Sequence, residues 1–376
     1  MKGKILTTLL LLLWASAGFS QTLPESPYRE PPALRVESFL PLHFPLLPPP
    51  TDTVTLFIMG DLMSHGSVIR GAEEHGYQGF FKHIEDRIQG ADIAIGNMEF
   101  PLAGPPFTGY PAFSGPEAFV DYLSEVGFDV FLTANNHVLD KGSAGLRRTI
   151  RVLEEKGLLY TGIAADEASD TLLTPLMLQV RGLRIALLNF TYGSNYGADS
   201  PWPKVNRLHE AEMAPALERA RRQADIVLVF PHWGIEYQLR HGPEQEATAR
   251  WLLAHGADAV IGTHPHVIQD WEVLDGIPVI YSLGNGISNQ NDLPARLEAV
   301  LTLSIVREPG AEPRLLEPSF DYLWCTKPGM IEATHSAVPV TLPQEYWNDP
   351  ADYRHMMETL NAQYEKNPLP GSHRPH

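Results

Sequence analysis

Short apolar runs alternate with amphipathic stretches between residues 53 and 326. The runs are rich in Val, Ile, Leu and Phe, and their length suits buried strands. We predict strands at Val54–Met59, Ile93–Ile95, Val130–Leu132, Ile185–Leu188, Ile226–Phe230, Val260–Ile261, Val279–Tyr281, Glu298–Val306 and Glu317–Trp324. We predict helices at Glu117–Val126, Ala144–Lys156, Glu210–Arg222 and Glu244–His255. This alternation predicts an α/β fold in one large domain over residues 53–326.

The two ends of the chain have a different pattern. Lys2 and Lys4 precede the apolar run Ile5–Trp14, and small residues follow it, which is the order found in a secretory signal peptide. The run is shorter than the roughly 20 apolar residues that span a bilayer. We therefore expect a signal peptide at residues 1–20, a proline-rich tether at 21–52 and a partly disordered C-terminal extension at 327–376. The mature protein would be exported, periplasmic or extracellular, and without a transmembrane anchor.

Charge and cysteine content narrow the range of partners and metal sites. The chain carries 45 acidic and 28 basic residues, a formal net charge of −17. Such a charge repels nucleic acids and anionic lipids, so we expect no nucleic-acid partner. Cys325 is the one cysteine of the sequence, which excludes an intramolecular disulfide and a thiolate-rich zinc site. Any metal must therefore be bound by His, Asp, Glu or Asn.

Metal-binding residue types directly follow five of the predicted strands. They are Asp61, Glu99 with Asn97, the segment Asn135–His137, His232, and the pair His264 and His266. Ligands bind at the carboxyl ends of strands in α/β sheets. Any one of these residues alone would more often be a helix cap, a turn residue or a structural histidine. Because the placement recurs five times, we predict a metal site, and the mixture of His, carboxylate and Asn favours zinc, manganese or iron over calcium.

The same residues form an ordered series of motifs that resembles the bacterial CapA family of capsule and poly-γ-glutamate synthesis proteins, over roughly Val54–Ile287. The motifs are Gly60-Asp61-Leu62-Met63, Asn97-Met98-Glu99-Phe100-Pro101, Ala134-Asn135-Asn136-His137-Val138-Leu139-Asp140-Lys141-Gly142, His232-Trp233-Gly234-Ile235-Glu236-Tyr237, Gly262-Thr263-His264-Pro265-His266-Val267-Ile268-Gln269 and Tyr281-Ser282-Leu283-Gly284-Asn285. That family is related to the calcineurin-like metallophosphatases. The resemblance implies a metallophosphatase-like β-sandwich flanked by helices, a four-layer α/β/β/α arrangement.

The resemblance also implies a role for each matching residue. It implies a pair of divalent transition metal ions (Mn, Zn or Fe) bound by Asp61, Glu99, Asn136, His232, His264 and His266. His137 would face the substrate as the catalytic acid. Met63 stands where the phosphatases have a ligand histidine, and His65 or water would have to compensate.

Four further residues are assigned less directly. We expect Glu236, Tyr237 and Asn195 to bind substrate or support the ligands, because ligand histidines usually donate their second nitrogen to a partner. Strand-end contacts explain Tyr237 equally well. Asp140 either orients His137 or caps the helix that begins near Ser143, and we favour the cap.

These roles predict metal-assisted hydrolysis of a phosphate ester or a related bond. The substrate would be an envelope polymer or a phosphorylated compound, and polymer synthase or export proteins would be the partners. The main alternative is a non-catalytic scaffold or polymer-handling component of an export machinery, which the missing histidine at Met63 favours. A third is an amide hydrolase that acts on γ-glutamyl bonds.

Overall fold

The computed structural model describes residues 52–197 and 200–366. The predicted signal peptide, most of the predicted tether and the last ten residues lie outside this range. The described strands are β1 (Asp52–Leu62), β2 (Ile93–Met98), β3 (Val130–Leu132), β4 (Leu159–Thr161), β5 (Ile163–Ala164), β6 (Leu176–Val180), β7 (Leu183–Thr191), β8 (Lys204–Val205), β9 (Ile226–His232), β10 (Ala259–Ile261), β11 (Trp271–Leu274), β12 (Ile277–Ile280), β13 (Asn285–Ile287), β14 (Leu297–Arg307), β15 (Arg314–Leu315), β16 (Ser319–Thr326) and β17 (Ser336–Pro339). The described helices are α1 (Gly66–His75), α2 (Glu85–Gly90), α3 (Glu117–Val126), α4 (Gly142–Glu155), α5 (Glu167–Leu173), α6 (Glu210–Gln223), α7 (Pro243–Ala254) and α8 (Pro350–Lys366).

Two sheets contain most of the strands. The larger has nine strands in the order β17-β16-β14-β1-β2-β3-β4, with β13 paired to β1 and β15 to β14. The smaller has six in the order β11-β12-β10-β9-β7-β6. Strands β1 to β4 are parallel in the larger sheet, and β7, β9, β10 and β12 are parallel in the smaller one. Each sheet therefore presents a row of carboxyl ends at one edge.

Three apolar clusters hold the layers together. Ile58 of β1 and Leu228 of β9 belong to one cluster, which fills the space between the two sheets. Phe57, the neighbour of Ile58, points to the opposite face and joins a cluster with the helices α1 to α4, as the pleat of a strand requires. Val229 likewise joins a third cluster with α6 and α7. The order helix, sheet, sheet, helix confirms the predicted four-layer α/β/β/α fold.

Every predicted strand and helix overlaps an observed element, and the bounds of β3 and α3 agree residue for residue. The helix α8 is absent from our predictions, although Met356 and Leu360 are buried in the cluster between the sheets. Strand β17 also lies in the predicted C-terminal extension, and it pairs with β16. Residues 327–366 thus contribute an edge strand and a covering helix. No helix in the described ranges combines the length and apolar character that crossing a membrane needs.

Candidate metal centre

The end of β1 is bent at Gly60. The pairing of β1 with β2 shifts register between Met59 and Asp61, as a β-bulge does. A side chain at Gly60 is excluded because its Cβ would lie 2.1 Å from the carbonyl oxygen of Gly284. The backbone N–H of Gly60 instead donates to the buried carboxylate of Glu298 at 2.7 Å. This bend places the fully buried Asp61 at the carboxyl end of the sheet.

The next strand contributes Asn97 and Glu99. The amide of Asn97 donates to Asp61 Oδ1 at 2.7 Å. Glu99 is fully buried, and neither of its carboxylate oxygens has a hydrogen-bond partner among the described residues. Burial, and then the negative charge of Asp61, raise the pKa of Glu99 well above its usual value. Two adjacent buried carboxylates of this kind are stabilised by a bound cation.

Three histidines come from the smaller sheet. His232 ends β9, and its Nε2 lies 2.7 Å from Asn136 Oδ1 and 3.7 Å from Glu99 Oε1. His264 and His266 follow β10, and His266 Nδ1 lies 3.1 Å from Asp61 Oδ2. Burial, and then neighbouring imidazoles, lower the pKa of His232 well below its usual value and that of His264 to about 3. Both rings are therefore neutral at physiological pH, which is the form that binds metal.

The backbone at this edge is strained. His264 has φ of 100°, His266 has φ of 60° and Tyr237 has φ of 65°, all in the left-handed region that non-glycine residues seldom adopt. The backbone N–H of His264 donates to Asp61 Oδ2 at 3.2 Å, and that of Tyr237 to the carbonyl of Pro265 at 2.8 Å. Such conformations persist where surrounding contacts enforce them, and they concentrate at functional sites.

These side chains form three overlapping groups in which one potential ligand atom of each residue lies within 4.8 Å of the others. The groups are Glu99 with His232 and His264, Asp61 with Glu99 and His266, and Glu236 with His264 and His266. Both oxygens of Glu99 and Nδ1 of His264 are buried without a hydrogen-bond partner in the described structure. Imidazole and carboxylate donors left unpaired in this way fit a divalent transition metal. All six predicted ligands, including Asn136 beside His232, lie together, and the cluster supports divalent metal binding.

Met63 and His65 were the uncertain positions of the predicted ligand set. Met63 is buried in the apolar cluster beneath the helices. His65 belongs to none of the three groups: its Nδ1 accepts a hydrogen bond from the backbone of Asn289 at 3.2 Å, and its ring contacts Phe113. His65 therefore does not take the place of the ligand histidine that is expected at position 63.

The prediction that Asp140 caps the following helix is wrong. Helix α4 begins at Gly142, and Lys141 at its N-cap makes no side-chain capping bond. Asp140 Oδ2 instead lies 2.7 Å from Nδ1 of His137 and accepts the backbone N–H of Phe113 at 2.7 Å. Asp140 thus orients the His137 ring, which was the alternative role.

The Nε2 atom of His137 points toward Asn195. The amide nitrogen of Asn195 lies 3.4 Å from it, and the backbone N–H of Asn195 donates to the carbonyl of Asn136 at 2.8 Å. His137 is almost fully buried, and the ring of Phe113 packs edge-on against it at 4.6 Å. Asp140, Phe113 and Asn195 therefore hold the imidazole beside the potential ligands without making it one of them.

The other two predicted substrate residues lie at the outer side of the cluster. Glu236 is 43% exposed, and its Oε1 lies 4.0 Å from His266 Nε2, so it is placed to bind either substrate or metal. The ring of Tyr237 is 6.1 Å from that of His266 and 44% exposed. This exposure makes Tyr237 a poor strand-end contact and leaves its face available.

Two residues in contact with the cluster were missed. The ring of Tyr192 lies 4.7 Å from that of His264, and Asn285 Oδ1 lies 3.0 Å from His266 Nδ1. Tyr192 follows the buried strand β7, and Asn285 begins the buried strand β13. A polar side chain at the end of a buried strand was thus the sequence signal that could have identified them. Burial, and then the charge of Glu236, raise the pKa of Tyr192 and of Tyr237 to about 12. Both phenols are therefore protonated hydrogen-bond donors at neutral pH.

Residues 55–290 match the model of one protein family, described as "Bacterial capsule synthesis protein PGA_cap". The chain belongs to this family. Among its relatives are "Capsule biosynthesis protein CapA" of Bacillus anthracis, 31% identical over 64% of this chain and 61% of that protein, and "PGA biosynthesis protein CapA" of Bacillus subtilis, 30% identical over 64% of each. The aligned part is thus about three fifths of the length of these relatives.

The region that matches the PGA_cap family contains all six candidate ligands, His137 and Asp140. It ends before β14, so the strands β14 to β17 and the helix α8 lie beyond it. Among solved structures, a putative 5'-nucleotidase from Staphylococcus aureus aligns with a TM-score of 0.48 and 14% identity, over 82% of this chain and 58% of that one.

Proposed function

We propose that this PGA_cap protein is an exported, metal-dependent hydrolase of the phosphoesterase type. It would act in the synthesis, export or turnover of a capsule, poly-γ-glutamate or other cell-envelope polymer. The observation that carries the proposal is the buried cluster of Asp61, Glu99, His232, His264 and His266, with unpaired donor atoms, beside the dyad of His137 and Asp140.

The ligand residues prepare the site for an anionic ester. A pair of divalent ions, when bound, would polarise the phosphoryl oxygen and activate the attacking water. Glu99 and Asp61 supply negative charge to hold the cations, while the neutral rings of His232 and His264 add donors without adding charge. The protonated phenols of Tyr192 and Tyr237 can donate hydrogen bonds to substrate oxygens at the rim.

His137 supplies the proton in this proposal. Asp140 accepts the hydrogen bond of Nδ1–H, so Nε2 is the nitrogen that can carry a proton toward the leaving oxygen. The amide of Asn195, 3.4 Å from this Nε2, is placed to contact the same substrate oxygen. Asp140 acts through His137 and is a positioning residue.

A non-catalytic role remains the second candidate function, and Met63 supports it. This residue is 2% exposed and apolar, and it occupies the position at which the resemblance expected a metal ligand. In that case the domain would be a scaffold or polymer-handling component of an export machinery. Polymer synthase and export proteins would be partners in either case.

Three preparations separate the two functions: the wild type, His137→Ala and His264→Ala. Metal content and turnover are measured on each, with phosphomonoesters, phosphodiesters and γ-glutamyl peptides as substrates. A general acid contributes about 10²–10⁴-fold to rate, so His137→Ala should lose activity on that scale and keep its metal. His264→Ala should lose both metal and activity.

Other outcomes have distinct meanings. A wild type that binds metal but hydrolyses none of the substrates, with His137→Ala restoring a deletion strain normally, identifies a scaffold. Metal loss in His137→Ala shows that His137 is a ligand and overturns its role as the acid. Hydrolysis of γ-glutamyl peptides alone assigns the domain to amide bonds.

Export is tested separately from chemistry. The order of basic, apolar and small residues in positions 1–20 leads us to expect a mature chain that begins between Gly18 and Gln21. Mass spectrometry of protein recovered from the envelope or the medium measures this terminus. Exported protein that retains Met1 contradicts the prediction.

A further inference from the structure

Two open cavities, each of about 590 Å³, lie on the two sides of the loop 104–114. One is bordered by residues 103–106 of the chain and by the first part of α4, and the other by residues 107–112 and α1. Lys141 lines both, so one side chain links the two cavities. Neither cavity contains a candidate metal ligand among its described lining residues.

The charge of the first cavity is opposite to that of the chain. Its described lining residues include four cationic side chains and no acidic one: Lys141, Arg147, Arg148 and Arg151. The second cavity adds Arg70, together with Glu73 and the exposed rings of Phe107 and Tyr110. Four cations without an acid are unexpected in a sequence with 45 acidic and 28 basic residues.

These cations are only partly neutralised by the protein. The side chains of Lys141 and Arg70 have no hydrogen bond or ion pair with any residue in the described part of the chain. Arg147 donates to a backbone carbonyl, that of Trp202, and Arg151 has a loose pair with Glu155 at 3.7 Å. Arg148 holds the carboxylate of Glu117, which shows that a carboxylate fits the guanidinium groups here. The cavities therefore retain positive charge for a ligand.

The loop between the cavities also contacts the proposed catalytic dyad. Its residue Phe113 packs on the ring of His137 at 4.6 Å, and its backbone N–H binds Asp140, the neighbour of Lys141. A long ligand bound at Lys141 therefore lies against the loop that holds the dyad, and it occupies none of the candidate metal ligands.

We propose that the two cavities joined at Lys141 form a binding site for a linear polymer that carries many carboxylates. Arg70, Lys141, Arg147 and Arg151 each bind one carboxylate of the polymer, and the cavities together engage several at once. This site overcomes locally the repulsion that a net charge of −17 exerts on an acidic polymer. It operates whether or not the metal centre is catalytic.

The test compares two double variants with equal loss of charge. Lys141→Gln/Arg151→Gln removes one cation at the junction and one in the first cavity. Arg222→Gln/Arg250→Gln is the matched control, because both arginines pair with a glutamate four residues away on exposed helix surfaces, as Arg151 does. Binding of the metal-loaded protein to fluorescent poly-γ-glutamate is measured by anisotropy at low salt and at 0.3 M salt.

The first variant should bind the polymer about tenfold more weakly than the wild type, because two charge contacts are lost. The control variant should bind the polymer as tightly as the wild type, and 0.3 M salt should weaken polymer binding by these two proteins. Metal content should be the same in all three proteins. Equal binding by all three proteins, equal loss in both variants, or no binding by the wild type overturns the proposal. Binding of polyphosphate but not of poly-γ-glutamate also overturns it, because the ligand would then be a phosphate polymer.

Discussion

Two groups of histidines in the described structure are wholly or partly buried, and they differ in the charged residues beside them. His232, His264 and His266 surround Asp61 and Glu99. His65 and His335 instead meet at Asn289: His335 Nε2 lies 3.1 Å from Asn289 Oδ1, and His65 accepts the Asn289 N–H. Lys327 donates to the same Asn289 oxygen at 2.9 Å. The first group thus lies beside two carboxylates, and the second lies beside the ammonium group of Lys327.

Burial acts in the same direction on both groups. It is the main cause that lowers the pKa of His65, His264 and His335, each to about 3. Neutral imidazole is therefore common to both and does not distinguish a metal site. The adjacent carboxylates distinguish it, because they attract a dication that Lys327 repels in the second group. We infer that the second group is structural.

The sharpest test of this comparison is metal content. Asp61→Ala/His264→Ala should lose nearly all bound metal, because one carboxylate and one imidazole of the cluster are removed together. His65→Gln/His335→Gln should retain it. Elemental analysis after loading with manganese or zinc measures both, with circular dichroism as the check on folding. Equal metal loss in the two variants would contradict the assignment of the metal site to the first group alone.

The next largest effect concerns the positioning of His137. Asp140→Asn should lower turnover by about 10- to 100-fold and leave metal content unchanged, because a carboxylate that orients a functional imidazole is lost. The pH profile should change as well, since the charge beside Nδ1 is removed. Unchanged turnover, or metal loss with the same variant, contradicts a positioning role.

The bend at Gly60 gives a smaller effect, on stability. Gly60→Ala places a methyl group against the carbonyl of Gly284, and relief of this overlap should cost about 1–3 kcal/mol of unfolding free energy. Denaturant unfolding measures the change. Gly193→Ala is a suitable control, because its Cβ would meet open space and its φ is not in the positive range that strains a side chain. A Gly60→Ala protein as stable as the wild type means that the strand end can relax.

The last effect is the pH dependence of stability that the second group confers. Burial, with Lys327 and Arg296 nearby, lowers the pKa of His335 to about 3 from an ordinary value of 6.5. The unfolded chain therefore binds a proton between these values that the folded chain does not, and stability falls as pH drops from 6.5 toward 3. His335→Gln has no imidazole to protonate at this position and therefore does not lose this share of its unfolding free energy. The difference in unfolding free energy between the wild type and His335→Gln should thus become smaller from pH 7 to pH 4. A gap that is constant with pH contradicts the assignment.

The sequence alone was informative where a local pattern decides the structure. A buried strand followed by a polar residue identified Asp61, Glu99, His232 and His264, because the end of a strand in a parallel sheet is fixed by its neighbours. It also located most strands and four helices. These features are determined by residues that are close together in the chain, so the sequence alone is enough to predict them.

The remainder depends on contacts between distant segments. Asp140 has the same sequence position whether it caps α4 or binds His137. Its contact with His137 Nδ1 is accompanied by a hydrogen bond from the backbone N–H of Phe113, 27 positions away, which the sequence does not reveal. Helix α8 is mostly polar and is stabilised through Met356 and Leu360, which join the apolar cluster between the two sheets. Glu236 Oε1 lies 4.0 Å from Nε2 of His266, a residue of another loop, and the sequence does not show this proximity.

The ligands of the candidate centre are far apart along the chain and come from both sheets. Asp61 and His266 are separated by 205 positions, and the two groups that contain Glu99 take their ligands from both sheets. These two groups are therefore incomplete until the sheets pack together, so full metal uptake follows closure of the sandwich. Once loaded, an ion that binds only the closed form adds to its stability by mass action. The supply of metal in the compartment where the chain folds thus sets how much of the protein persists there.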